Sequence, residues 1–277
     1  MLTQFAAAPV ISVKAETLWT VFGVPITNSH MLGVLGLLVL AWIMLRTKAA
    51  VMGQKKHNFI TRLALWAFTG LYGTVKQIVP EERWARRVAP LTITLFFFVI
   101  SQYYLGILPF VGPIYVAHGS EHLPLFRGGV ADLNMTFAIA IITIVAAQVY
   151  AVKYLGMRGN AGRYFVNPFK NPIMAFVGIL ELIAELSRLL GLSFRLFGNV
   201  LAGEVLLIMV AFLTQYVSPL ALQPFYLFEL FIGGIQAYIF FMLATVFISL
   251  GLQHETGETD HSPSHSTADH ETVTAKG

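Results

Sequence analysis

One arginine, Arg195, sits inside a long apolar stretch, with Glu181, Glu185 and Arg188 before it and Asn199 and Glu204 after it. Charge at bilayer depth costs at least ~3 kcal/mol on insertion scales. It is kept only where it faces protein or water, and it usually marks an ion or substrate path. A guanidinium stays protonated, so Arg195 is a fixed positive charge and not a proton carrier. The carboxylates of Glu204 and Glu229 can take up and release protons. The chemistry open to this set is movement of an ion through a membrane. The plainer reading of Arg195 is a structural ion pair with a carboxylate of a neighbouring helix.

Helical geometry sorts these groups at ~100° and ~1.5 Å per residue. Glu181, Arg188 and Arg195 recur every seventh residue and share a face, with Glu185 and Asn199 close to it. Glu204 points to roughly the opposite side, ~13 Å beyond Arg195, and Glu181 lies ~21 Å back. A fixed cation therefore stands between carboxylates at different depths. Glu229 lies on the following helix, at a depth comparable to that of Glu204. Gln236 falls on the same face as Glu229, where it serves either a proton path or a simple interhelical hydrogen bond. Glu181 reads either as part of an inner path or as an interfacial ion pair, and Glu185 is placed to pair with Arg188 at i, i+3. Asp132 is either the N-cap of its helix or, with Asn134, the lining of a water entrance. His118 and His122 have metal-binding spacing, but their loop is rich in Pro and Gly and argues against a metal. Gly233 and Gly234 favour close helix approach.

The elements that hold these residues are set by composition. The chain has 277 residues, of which 56% are hydrophobic and 12% charged. That is too apolar for a water-soluble domain of this size and indicates an all-α polytopic membrane protein. The net charge of +4 comes from basic loops and gives no nucleic-acid signal. The chain has no cysteine, which excludes disulfides and thiolate chemistry. No phosphate loop, nucleophile elbow or zinc motif occurs, and no cofactor is expected. No cleavable signal is expected at the start.

The pattern gives about five transmembrane helices, near 27–46, 88–108, 132–152, 171–213 and 224–252, within a membrane domain spanning 27–252. Residues 59–79 form an interfacial helix rather than a crossing. Residues 1–26 lie outside the membrane, and 253–277 form a disordered polar tail. The fourth span is about twice as long as the ~30 Å hydrocarbon core needs. It must tilt, bend near Gly191 and Gly198, or emerge, and with the fifth span it makes a long tilted two-helix hairpin. Basic residues crowd the connections after spans one and three, whereas the opposite side has only Lys14 and Arg127. The positive-inside rule then puts the N-terminus outside and the C-terminal tail in the cytoplasm. No internal repeat is visible, which weakens the main alternative, a stand-alone secondary transporter or ion channel.

The run Ser193-Phe194-Arg195-Leu196-Phe197-Gly198-Asn199 with Ala202-Gly203-Glu204 resembles the signature of subunit a of rotary F-type ATP synthases. Asp132-Leu133-Asn134-Met135-Thr136, Asn167-Pro168-Phe169 and Gln236-Ala237-Tyr238-Ile239-Phe240 resemble it too, in matching order and spacing. The resemblance implies a stator subunit that is not catalytic by itself. It would supply two offset half-channels to a c-subunit ring in the membrane sector, CF(0), and conduct protons or Na+. Its implied partners are that ring, the b-subunit peripheral stalk, the rest of the complex and the lipid bilayer. The expected lack of a presequence and the outside N-terminus favour a bacterial inner membrane, with organellar encoding as the alternative. Arg195 matches the family's essential arginine. Glu204, Gln236 and Asp132 match outer-channel positions, Asn199 the asparagine one turn past the arginine, and Glu181 an inner-side glutamate. The family position seven before the glutamine can be histidine, and here it is Glu229. Two acids then stand together, so that a shared proton would belong to the pair.

Overall fold

The computed structural model describes residues 17–21, 24–53, 58–108, 115–118, 121–124, 127–164 and 172–253. Six α-helices dominate it: α1 (Asn28–Val51), α2 (Phe59–Ile78), α3 (Glu82–Ile107), α4 (Leu133–Tyr164), α5 (Pro172–Thr214) and α6 (Ser218–Gln253). Two small antiparallel hairpins join them: β1 (Thr17–Val21) with β2 (Val24–Thr27), and β3 (Tyr115–His118) with β4 (Glu121–Pro124). These strands lie in segments read from sequence as an outer segment and a loop. The second hairpin places His118 opposite Glu121 and Ala117 opposite His122. The two histidines therefore do not share a helix face, and no metal-binding cluster occurs among the described residues. The tail expected beyond residue 253, and the Asn167-Pro168-Phe169 segment, lie outside the described residues.

Local chemistry sets the helix starts. The side chain of Thr27 caps α1 in a reciprocal arrangement with His30. Asp132 Oδ1 accepts the backbone N–H of Asn134 at 3.0 Å, so Asp132 opens α4 as an N-cap. Pro172 stands at the first position of α5, where its missing N–H is not needed. α4 breaks at Gly156, whose φ of 77° and ψ of 165° suit glycine. Residues expected to form a basic loop from Gly156 thus begin as a further helical piece reaching Tyr164. α5 runs for 43 residues without a break, through Gly191 and Gly198.

Stretches long and apolar enough to cross a membrane are Asn28–Val51, Glu82–Ile107, Leu133–Met157 and Pro172–Leu252, the last of which includes both α5 and α6. Together with the large apolar side chains left exposed, such as Leu38, Leu45, Leu182 and Leu213, this makes the chain an integral membrane protein of all-α type. α2 is not among these stretches. It buries Thr61, Ala64, Leu71 and Val75 along one face and exposes Phe59 and Trp66 on the other.

Two apolar clusters hold the helices together. The first joins α3, α4, α5 and α6 through Val99, Tyr103, Ala140, Leu196, Phe240 and Ala244. The second joins α2, α3, α4 and α6 through Val75, Trp84, Val88, Ala147, Phe241 and Ile248. Every helix that carries a candidate residue is fixed by the first cluster, so the polar groups sit on a packed scaffold.

Candidate functional site

α5 and α6 are joined by the short turn Gln215–Val217. Arg188 stacks on Phe247 at 5.8 Å, and Asn199 Nδ2 donates to Gln236 Oε1 at 2.6 Å. Nearer the turn, the side chain of Glu229 lies against Gly203. As one helix advances the other returns, so these pairs run antiparallel. Gln236 thus makes the interhelical hydrogen bond that its plainer reading foresees, and the partner is Asn199.

Arg195 lies on the outward face of α5 and is exposed. It makes no hydrogen bond or ion pair among the described residues, so the expected alternative of an ion pair with a neighbouring helix is not found there. The residues around it on that face are small: Ser187, Gly191, Gly198 and Ala202 are all exposed. No heavy atom comes within 4 Å of where a Cβ would stand on Gly191 or Gly198.

Glu204 turns the other way, as its spacing from Arg195 requires. With Glu229, Gln102, Tyr103 and Gly128 it lines a cavity of about 30 Å³, room for a water. Arg127 approaches Glu204 at 3.7 Å. Glu229 is 3% exposed and accepts a hydrogen bond from the Tyr103 hydroxyl at 2.5 Å. An uncharged donor on a third helix therefore fixes one oxygen of a buried acid. Gln102 is fully buried; its Nε2 donates to Gly33 O at 2.9 Å, while Oε1 has no partner among the described residues. Asp132 is 6% exposed and accepts the Ser29 hydroxyl at 2.9 Å. It therefore serves as an N-cap and also ties α1 to α4, and it follows by two residues Val130, which lines the Glu204 cavity.

Glu181 lies 3.7 Å from Arg188. The expected pairing of Glu185 with Arg188 gives way to this one. Glu185 instead accepts hydrogen bonds from Gln148 Nε2 and the Tyr164 hydroxyl. The seven candidates thus fall into separate groups. Glu204 and Glu229 share one cavity, Asp132 follows Val130 of its lining by two residues, Asn199 and Gln236 form the α5–α6 link, Arg195 is alone on the surface, and Glu181 pairs with Arg188.

Sequence reasoning passed over Tyr103, Gln102, Ser29 and the pairing of Arg127. The adjacent polar residues Gln102, Tyr103 and Tyr104 in an otherwise Phe-rich span were the available signal for the first two. Gly233 and Gly234 face α3. A Cβ on Gly233 would run into the Tyr103 ring, and one on Gly234 would lie 3.1 Å from the Tyr104 hydroxyl. They let α3 approach α6 closely, through Tyr103 and Tyr104.

The family described as ATP synthase A chain matches residues 29–249. Curated relatives include the ATP synthase subunit a of Aliivibrio salmonicida, 36% identical over 179 residues, a match covering 63% of this chain and 64% of the relative. That of Aliivibrio fischeri is 34% identical over 177 residues, covering 63% and 64%. That of Alkalilimnicola ehrlichii is 30% identical over 173 residues, covering 62% and 67%. The aligned chain spans 64% of the length of the first of these relatives.

Proposed function

The chain belongs to the ATP synthase A chain family, and from that premise we propose that it is the ion-conducting stator subunit of a proton-translocating ATP synthase. In this reading it lies against a ring of c subunits and offers two offset half-channels, with Arg195 as the charge that separates them. The observation that supports this most is the setting of Arg195. It is a permanent cation on an exposed helix face, with no partner among the described residues and small side chains around it. At membrane depth such a charge needs an anion from another chain. The small residues let a second helix approach closely enough to supply one. A ring carboxylate brought opposite Arg195 would be held ionised there and could not carry a proton straight across.

Glu204 and Glu229, with Asp132 nearby, line the outer route in this reading. Asn199 and Gln236 close the packing between that route and Arg195, and Glu181 marks the inner side. Each charge moved down the potential yields ~2.3 kcal/mol per 100 mV, which is useful only if the two routes never join. In this reading the basic residues between the first two spans, and Lys153, Arg158, Arg163 and Lys170 beyond the third, face the cytoplasm, with the N-terminus outside and the tail on the cytoplasmic side. That orientation suits a bacterial inner membrane, a five-crossing domain and an interfacial α2. A peripheral stalk formed by b subunits would hold the stator still.

Arg195→Ala tests the reading. Inverted vesicles carrying the variant should show no proton-driven ATP synthesis. Coupled synthesis near the wild-type rate would defeat the proposal.

A further inference from the structure

The proposed function leaves unused a polar cluster on the far side of Arg195. Gln148 of α4 donates to Glu185 of α5, and the Tyr164 hydroxyl donates to the same carboxylate oxygen. Gln148 Nε2 also donates to the Tyr164 hydroxyl at 2.9 Å, and Asn160 Nδ2 donates to Gln148 Oε1 at 3.1 Å. Asn160 is buried, and its Oδ1 has no partner among the described residues. Gln148, Glu185 and Arg188 line a cavity of about 20 Å³ together with Ala147, Phe247 and Gly251. That volume accepts a single water.

The backbone is shaped for this cluster. In an unbroken helix, Tyr164 would stand ~24 Å along the axis from Gln148. The reversal at Gly156 returns the chain, so that Asn160 and Tyr164 reach Gln148. Glu181 is already engaged by Arg188, whereas among the described residues the hydrogen bonds to Glu185 come from uncharged donors. An acid held by neutral donors beside a water-sized space can change its protonation without breaking an ion pair. It lies ~15 Å along α5 from Arg195, on the side away from Glu204.

We propose that Glu185, held by Gln148 and Tyr164, is the carboxylate that exchanges protons with water in the inner route. The inference rests on the proposed stator role and adds Glu185 to it. A hydronium on the ring side gives its proton to the Glu185 carboxylate, forming an O–H bond there and leaving water. That O–H then breaks to a water on the cytoplasmic side, and the carboxylate is restored. No charge accumulates over the two transfers.

Glu185→Gln keeps the shape and leaves a carbonyl oxygen to accept both donors, but it removes the titratable group. In inverted vesicles from cells with the full complex, ATP-driven acidification and passive proton flux through membranes stripped of the soluble sector should both fall at least about tenfold. Glu185→Asp, which keeps an acid, should restore most of the flux, and both variants should be present in the membrane at wild-type level. Wild-type flux in Glu185→Gln, with Arg195→Ala unable to support ATP-driven acidification, overturns the role of Glu185 and leaves the stator reading standing. Equal loss in both Glu185 variants, or loss of the subunit from the membrane, also overturns it, since a structural role would then suffice. An active Arg195→Ala would mark failure of the stator reading itself.

Discussion

At the scale of the residue, the outer acids differ in what holds them. Glu204 faces a charge, Arg127, across 3.7 Å. Glu229 faces the neutral Tyr103 hydroxyl at 2.5 Å. Tyr103→Phe keeps the ring in the core and deletes only that donor. A buried acceptor stripped of its donor should lower stability by on the order of 1 kcal/mol, toward the low end in a membrane. The thermal midpoint of the detergent-solubilised subunit in its complex measures this, and an unchanged midpoint would show that the hydrogen bond contributes nothing. Proton access from the outer side should also slow, because the Glu229 oxygen is no longer oriented. Most of these acids could be found from the sequence, because charge inside an apolar run stands out. Their partners could not. The polar run Gln102-Tyr103-Tyr104 marks Tyr103 as unusual in its Phe-rich span, but only the packing of α3 against α6 shows which acid it serves.

At the scale of the element, α5 and α6 carry polar groups that need space as well as partners. Gly233 supplies that space for the Tyr103 ring. Gly233→Ala should drive the ring from its position at a cost of about 1–3 kcal/mol, typical of overpacking. Tyr103→Ala alone should also destabilise, by leaving a cavity. Combined, the two should cost less than their sum, because the added methyl then enters the vacated space. A double-mutant cycle on thermal midpoints checks this, and strict additivity would show that the two residues are not coupled. Apolar runs closed by charge or proline made α5 legible to within a residue at both ends and α1, α3 and α6 at one end, whereas the other end of each of these three runs five or six residues further. The start of α4 was legible from Asp132, and its continuation past residue 152 was not. That continuation follows from one backbone reversal at Gly156, and neither composition nor periodicity distinguishes it from a loop. The same reversal placed Tyr164 on Glu185, which made the assumed i, i+3 pairing with Arg188 wrong. The hairpins β1–β2 and β3–β4 were missed because short strands between turns carry almost no periodic signal.

At the scale of the whole molecule, Glu229, Gln236, Gln102 and Asp132 are buried between helices, whereas Arg195 is not. The face of α5 with Ser187, Gly191, Arg195, Gly198 and Ala202 is left open. A chain made without its neighbour would have to hold a guanidinium against hydrocarbon, at a cost of at least ~3 kcal/mol. Such an orphan is poorly matched to the bilayer and should be short-lived. In cells that lack the ring of the proposed assembly, a pulse-chase should find the wild-type chain cleared several times faster than in complete cells. Arg195→Leu, which suits lipid, should persist longer than wild type under the same conditions, and equal lifetimes would count against the idea. One side chain would then give the cell a means of keeping subunit numbers in proportion, since copies that never meet a neighbour are removed.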